Sequence, residues 1–207
     1  MEKKDVLKLY PKEATLRNGQ KVTLRLMTPA DEAALLEFFR ALPEKERLFL
    51  KEEVTNPEVI HRWAKNLNYN RVIPLIAVVG DRIIADAPLL MRSHGWSRHV
   101  GEFRMAVSPD YRRLGLGFLM AKELFFLALS LKLEKVMAET IEEQVAVVQI
   151  LRSIGFEQEA VLKDHVKDLH GNLHNLLIMT HDVKSMWKKM EDLIGDSYSD
   201  HSGYYRI

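Results

Sequence analysis

Arg112-Arg113-Leu114-Gly115-Leu116-Gly117 is the stretch whose reading decides the fold of this chain. It follows an apolar, strand-like run over 103–107 and a turn at Ser108-Pro109-Asp110, and it opens a long helical pattern. A strand, a tight glycine loop and a helix start together make a cradle for an anion. The first N–H groups of a helix have no intrahelical partner, and the helix dipole adds positive potential there. Glycines let the backbone approach an oxygen-rich ligand closely. Two arginines at the entrance add charge-assisted donors. The expected ligand is a phosphate or pyrophosphate. The plainer alternative is an ordinary strand-to-helix turn that happens to use two glycines.

Spacing narrows the choice. The nucleoside-triphosphate loop needs four residues between its glycines and then Gly-Lys-Ser/Thr, which is not found here. The dinucleotide fingerprint Gly-x-Gly-x-x-Gly is also missing. What stands is Arg112-x-x-Gly115-x-Gly117, preceded by Val107-x-Pro109-x-Tyr111.

Working outward, Val22, Leu24 and Leu26 alternate with Lys21, Thr23 and Arg25, the pattern of a half-buried strand. Thr28-Pro29-Ala30-Asp31 has capping-box spacing and predicts a helix that runs through Phe38 and Phe39 to about Leu42-Pro43. A second helical stretch is expected over 44–50. Asn56-Pro57 starts a third, through Trp63 to about Leu67. Gly80-Asp81 joins two apolar strands, over 73–79 and 82 to about 91, into a hairpin. Pro88 argues for a bulge or an edge in the second of these. After a polar loop over 93–99, a continuous strand over 100–107 leads into the glycine loop.

The next helix carries Leu116, Met120, Leu124, Leu127 and Leu131 on one face. Phe118, Leu119, Phe125, Phe126 and Leu129 widen that stripe, so the helix is expected to be deeply packed. A strand over 135–141 follows, then a helix with Val147, Val148, Leu151 and Ile154 on one face. Gly155-Phe156 ends it. Runs over 160–166 and 173–179 flank His170-Gly171-Asn172 as a final hairpin. The chain is read as one unit over 1–183, with its core from about residue 22, and a tail over 184–207 that holds a short amphipathic helix at 186–194.

Composition bounds the function. The 207 residues are 47% hydrophobic and 29% charged, enough for one soluble domain with a full core. A net charge of +1 gives no pointer to nucleic acid or to a membrane surface. No apolar run approaches the ~20 residues needed to span a bilayer. The charged start Met1-Glu2-Lys3-Lys4-Asp5 lacks the apolar core of a signal peptide, so cytoplasmic residence is the expectation. The chain has no cysteine, which excludes thiolate metal sites and a cysteine nucleophile. His165, His170, His174 and His181 fall on the last hairpin without an acidic or thiol partner at ligand spacing, so no metal site is expected.

The arginine-glycine motif, with its preceding strand and proline turn, resembles the acyl-CoA-binding motif of the GNAT acetyltransferase superfamily. The order of elements from about residue 22 to 183 is similar to that family's. So are Thr23-Leu24-Arg25-Leu26-Met27-Thr28-Pro29-Ala30-Asp31 and Ile150-Leu151-Arg152-Ser153-Ile154-Gly155-Phe156. The segment over 24–50 also resembles the acetyltransferase module of bacterial protein-lysine acetyltransferases.

The resemblance implies an α/β (α+β) fold. Its central sheet would be mixed, mostly antiparallel and splayed at an acyl-CoA wedge, with helices on both faces. It implies acetyl-CoA as acyl donor and no metal. The acceptor would be a primary amine on a small molecule or a protein lysine. Backbone near Met105, Ala106 and Val107 would hold the pantetheine and thioester. Amides from Arg113 through Leu114, Gly115 and Leu116 to Gly117 would bind the pyrophosphate, with the Arg112 and Arg113 side chains nearby or merely solvated. Gln144 takes the place of a family Asn that contacts the cofactor. Leu151 stands where many members place a Tyr that protonates the leaving thiolate.

Glu102 resembles the base position, since an ammonium with a pKa near ~10 must lose its proton before it attacks. Its alternative role is a charge pair, with Arg104 or across strands. Asp86, on the hairpin strand, is a second carboxylate near the same wedge. The acceptor is expected opposite the cofactor, between the first two helices and the last hairpin. The alternative function is a non-catalytic acyl-CoA-binding module that acts through a partner, and a homodimer is left open.

Overall fold

The computed structural model describes residues 3–48 and 50–185. In chain order the elements are α1 (Lys3–Leu7), β1 (Lys12–Thr15), β2 (Lys21–Leu26), α2 (Glu32–Ala41), α3 (Glu44–Arg47), α4 (Pro57–Lys65), β3 (Val72–Val79) and β4 (Arg82–Met91). Then come β5 (Val100–Phe103), β6 (Ala106–Val107), α5 (Leu116–Ser130), β7 (Lys135–Ile141), α6 (Val145–Ser153), β8 (Glu157–Lys167) and β9 (Leu173–Asp182). One sheet runs in the order β1-β2-β3-β4-β5-β7-β9-β8, with β6 paired to β4. The β5–β7 pair is parallel and the other pairs are antiparallel.

Two apolar layers sandwich the sheet. Phe38, Phe39 and Ile60 of α2 and α4 pack with Ile76 and Ile83 on one face. Met120, Leu124, Phe125 and Leu127 of α5 pack with Leu75, Leu89 and Val136 on the other. Alternation along each strand divides its side chains between these layers. Although Phe118, expected in the widened stripe, is 43% exposed, the helix of 116–130 is buried around most of its circumference. It even takes in Glu123, 4% exposed, which accepts from the Tyr10 hydroxyl at 2.8 Å and the Lys12 ammonium at 2.7 Å. A buried carboxylate needs such partners.

Local chemistry sets several ends. The Asn56 side chain accepts from Glu58 N at 3.0 Å and caps α4, with Pro57 in its first turn. Asp31 reaches back to Thr28 N at 2.7 Å, as the capping-box spacing predicts, and also holds Arg25 through both carboxylate oxygens. A short 3-10 turn over Pro29–Asp31 precedes α2. After α6, Gly155 adopts φ +92°, and Phe156 N closes a bond to Leu151 O at 2.9 Å.

Some expectations change. The strand over 100–107 is interrupted at Arg104-Met105. The register that pairs Leu89 with Phe103 also pairs Asp86 with Ala106, so Pro88 lies opposite Arg104. Arg104 N reaches Pro88 O at 3.3 Å, but proline has no N–H to return the bond. Pro88 therefore breaks a ladder inside the sheet and makes neither an edge nor a register shift. The helix expected over 44–50 stops at Arg47, and that expected to about Leu67 stops at Lys65. Val147 is 40% exposed, so the buried side of α6 is narrower than expected. The last two strands are longer than predicted. The hairpin β1–β2 and helix α1 were not foreseen, although Asn18-Gly19, a strong hairpin signal, sits at the turn. The tail helix of 186–194 lies outside the described residues.

Candidate active site

The glycine loop is set by its own backbone and braced by the first hairpin. Ser108 is buried and donates its N–H to Ile84 O at 2.9 Å. A 3-10 turn, Pro109–Tyr111, leads to extended Arg112, then to Arg113 at φ +61° and Gly115 at φ +89°. A residue with a Cβ is strained in that left-handed region, which is why glycine stands at 115. Arg17 N donates to Leu114 O at 3.0 Å, and the Arg17 side chain lies about 3.7 Å from where a Cβ on Gly115 would project.

Gly115 is also the N-cap of α5. No side chain caps this end, and the first turn has no acidic residue. The positive pole of the helix thus faces outward without an internal anion to satisfy it. A Cβ on Gly117 would project toward the Met105 sulfur at 3.9 Å, so the helix start and the strand interruption face each other.

The wedge follows from pairing. β5 and β7 run parallel from Val100↔Lys135 to Phe103↔Ala138. Past that point, among the described residues, β6 pairs only with β4, and Glu139, Thr140 and Ile141 pair only with β9. Phe103 sits at the fork and is locked by Phe125 and Phe156, at ring-centroid distances of 4.8 and 6.1 Å. Across the gap, the Thr140 hydroxyl donates to Gln144 Oε1 at 2.8 Å, which fixes that amide at the head of α6.

Met105 and Gly117 thus face each other where β5 gives way to β6. Ala106, Val107, Leu114, Gly115 and Leu116 follow along β6, the loop and the start of α5, and Gln144 stands at the head of α6. Arg112 has a different occupation. Its guanidinium grips Glu46 at 2.8 and 2.6 Å and donates to Val107 O at 2.9 and 3.2 Å, strapping α3 to the loop. Arg113 is exposed.

The two carboxylates share one sheet face, since Glu102 pairs with Leu90 and Asp86 with Ala106 on the same alternate positions of β4. Their surroundings differ. Glu102 Oε1 accepts from Lys51 Nζ at 2.7 Å and from Arg104 Nε at 2.8 Å. Burial pushes its carboxyl up, but the bonds from Lys51 and Arg104 pull harder and leave it below the ordinary value. Asp86 is 8% exposed, and burial pushes its carboxyl up to about 7 against a weaker pull from Arg104.

Sequence reasoning missed Lys51 and Glu139, whose Oε2 also accepts from Lys51 Nζ at 2.5 Å. The alternation of β7 puts Glu139 on the face of Met137, the partner of Glu102. Nothing local marks Lys51, which is 88 residues from Glu139. A cavity of about 210 Å³ adjoins this cluster, lined by Arg47, Leu50, Lys51, Val54, Lys167 and Leu169 among others. Elsewhere, His174 sits between Glu143 and Asp168 at 3.1 and 3.2 Å, and both carboxylates raise its pKa. Among the described residues no helix is long and apolar enough to cross a membrane.

The Acetyltransferase (GNAT) family matches residues 33–156, more than half of the chain, and the protein belongs to that family. No curated protein matches it. Solved structures agree in fold. The ribosomal-protein-alanine N-acetyltransferase of Brucella melitensis is 26% identical with a TM-score of 0.67, over 77% of this chain and 98% of that one. The GNAT domain of S. lividans PAT is 15% identical with a TM-score of 0.70, over 84% and 97%. The yncA structure of Salmonella typhimurium, solved with its cofactor acetyl-CoA, is 18% identical with a TM-score of 0.65, over 78% and 94%.

Proposed function

We propose that this chain is an acetyl-CoA-dependent N-acetyltransferase that moves an acetyl group to a primary amine of a small molecule or protein by direct attack on the thioester. The observation that carries this reading is the fork between β6 and β7 with an uncapped, glycine-built helix start at its mouth. The residues suit an acyl-CoA. Backbone amides from Arg113 to Gly117 offer donors to a pyrophosphate, and Gly117 leaves room for it beside Met105. Among the described residues the edge of β6 that faces the fork has no strand partner, although Val107 O is held by Arg112, so this edge can hydrogen-bond a pantetheine arm. The catalytic unit is 1–183, with 184–207 as a tail.

The acceptor enters on the face that carries Glu102 and Asp86, opposite α5. Glu102 takes the proton from the incoming ammonium, directly or through water. It is ionised at neutral pH because two cations hold it so. Asp86, lying deeper, is the second candidate for the same role. The amine nitrogen then attacks the thioester carbon, and the thiolate departs.

Calorimetry with acetyl-CoA is the decisive test: binding at micromolar to millimolar donor is expected, and none at millimolar donor would end the proposal. A second reading, a non-catalytic acyl-CoA-binding module, draws support from Leu151. That side chain packs against the core where relatives often carry a tyrosine hydroxyl. Thiol release over a panel of amines and lysine peptides separates the two. Turnover is expected and dismisses the module.

A further inference from the structure

Lys51 stands where an acceptor amine would have to stand. Its Nζ bridges Glu102 Oε1 at 2.7 Å and Glu139 Oε2 at 2.5 Å. These carboxylates rise from adjoining parallel strands, on one face, Glu102 one residue before and Glu139 one residue after the last pair, Phe103↔Ala138. The ammonium therefore sits at the head of the fork, on the side away from α5, and in hydrogen-bond contact with the proposed base. Lys51 lies between α3 and α4, outside both helices, and its side chain is 38% exposed. The cavity of about 210 Å³ beside it opens between this segment and the β8–β9 turn. An external acceptor would come by the same route.

We propose that Lys51 is a self-acetylation site: its ε-amine occupies the acceptor position of its own chain and takes the acetyl group from bound acetyl-CoA. The inference rests on the acetyltransferase reading given above. The step balances. The ammonium gives a proton to the Glu102 carboxylate, and the freed lone pair attacks the thioester carbonyl carbon. A C–N bond forms, the C–S bond breaks, and coenzyme A leaves as the thiolate, which takes up a proton. The product is neutral Nε-acetyl-lysine. Without its charge that side chain no longer bridges two carboxylates, so the modified segment clears the acceptor position for an external ammonium.

The test is intact-mass and peptide mapping of the full chain after incubation with acetyl-CoA, beside calorimetry of donor binding. A single added acetyl group on Lys51 is expected, formed at least ~10²-fold faster than on any other lysine because the reacting groups are held together. The fractional rate should not depend on protein concentration. Lys51→Arg, which keeps a cation between the carboxylates but cannot be acetylated in this way, should abolish the label. Glu102→Gln should slow labelling of Lys51 and leave the slow labelling of surface lysines unchanged. A readout without the donor is binding of butylamine followed by NMR: Lys51→Gln should bind it more tightly than the unmodified chain. If acetyl-CoA binds and external amines are acetylated while Lys51 stays unlabelled, the self-acetylation proposal falls and the enzymatic reading stands. If acetyl-CoA does not bind at all, both fall. Equal butylamine binding by the two proteins would also overturn the assignment of Lys51 to the acceptor position.

Discussion

The glycine loop and the Glu102–Lys51–Glu139 cluster flank the same fork, but they are built in opposite ways. The loop is a continuous segment, residues 108–117, whose shape is written in Pro109, Gly115 and Gly117 and whose positive pole comes from backbone alone. The cluster joins three side chains from distant parts of the chain, and two of its links span 51 and 88 residues. Backbone donors cannot be mutated away one at a time, whereas a side-chain cluster can. The donor side should therefore tolerate most substitutions except those that add bulk, and the acceptor side should fail on single isosteric changes.

The largest test of that contrast is Glu102→Gln. Turnover, followed as thiol release, should fall by roughly 10²–10⁴-fold, the range for loss of a general base, while calorimetry finds acetyl-CoA affinity nearly unchanged. The pH–rate profile assigns the proton acceptor. With Glu102 held below its ordinary value, the acid limb of kcat/KM should lie well under neutrality. A limb near 7 would instead give the role to Asp86.

Asp86 should next reveal itself in stability. Its folded pKa of about 7 lies above the ordinary 3.8, so between those values the native state holds a proton that the unfolded chain has lost. Stability then falls as pH rises from about 4 to about 7 and levels off above. Asp86→Asn should remove that slope and raise the unfolding free energy at pH 8, measured by denaturant titration, by an amount on the order of a few kcal/mol, with little change at pH 4. Parallel pH profiles for the two proteins would contradict the assignment.

On the donor side, Gly117→Ala is the sharpest probe. Its Cβ meets only the Met105 sulfur, at an ordinary 3.9 Å, and alanine favours a helix over glycine by about 0.5–1 kcal/mol. Thermal stability should hold or rise slightly, while acetyl-CoA affinity drops about tenfold or more, equivalent to about 1.4 kcal/mol. Unchanged affinity would remove the pyrophosphate from this position.

The smallest effect joins the two sides. Glu46 holds Arg112 in an exposed, two-pronged pair, and such pairs contribute about 1 kcal/mol or less. Glu46→Gln should barely move the melting temperature. By releasing the guanidinium it should tighten acetyl-CoA binding a few-fold at low salt, with the gain lost at high salt. Affinity that ignores both the mutation and the salt would leave Arg112 as a strap alone.

Short-range chemistry explains what was legible in the sequence. Strand alternation, the Thr28–Asp31 capping box, the Asn56-Pro57 start, the Gly155-Phe156 stop and the glycine loop all depend on neighbours within about one helical turn. Each can be read from a few adjacent residues. The same segments carried the resemblance that placed the chain in its family. Glu102 and Asp86 could be named as carboxylates near a wedge, because each lies on a predicted strand.

Only the tertiary structure decided what those carboxylates are. A side chain's pKa follows from burial and from charges within a few ångströms, and those neighbours come from strands and loops far away in the chain. Asp86 is raised because the α2–α4 layer closes over β4, and Glu102 is lowered because a loop delivers Lys51 to it. Likewise Pro88 was visible as a disturbance. Its effect, a gap in the ladder at Arg104 where the fork begins, required knowing which residue stood opposite. Sequence determined the elements and the shape of the glycine loop because both are local. Packing decided the protonation states, the grip of Glu46 on Arg112 and the place of Lys51, because each depends on contacts that exist only once distant segments meet.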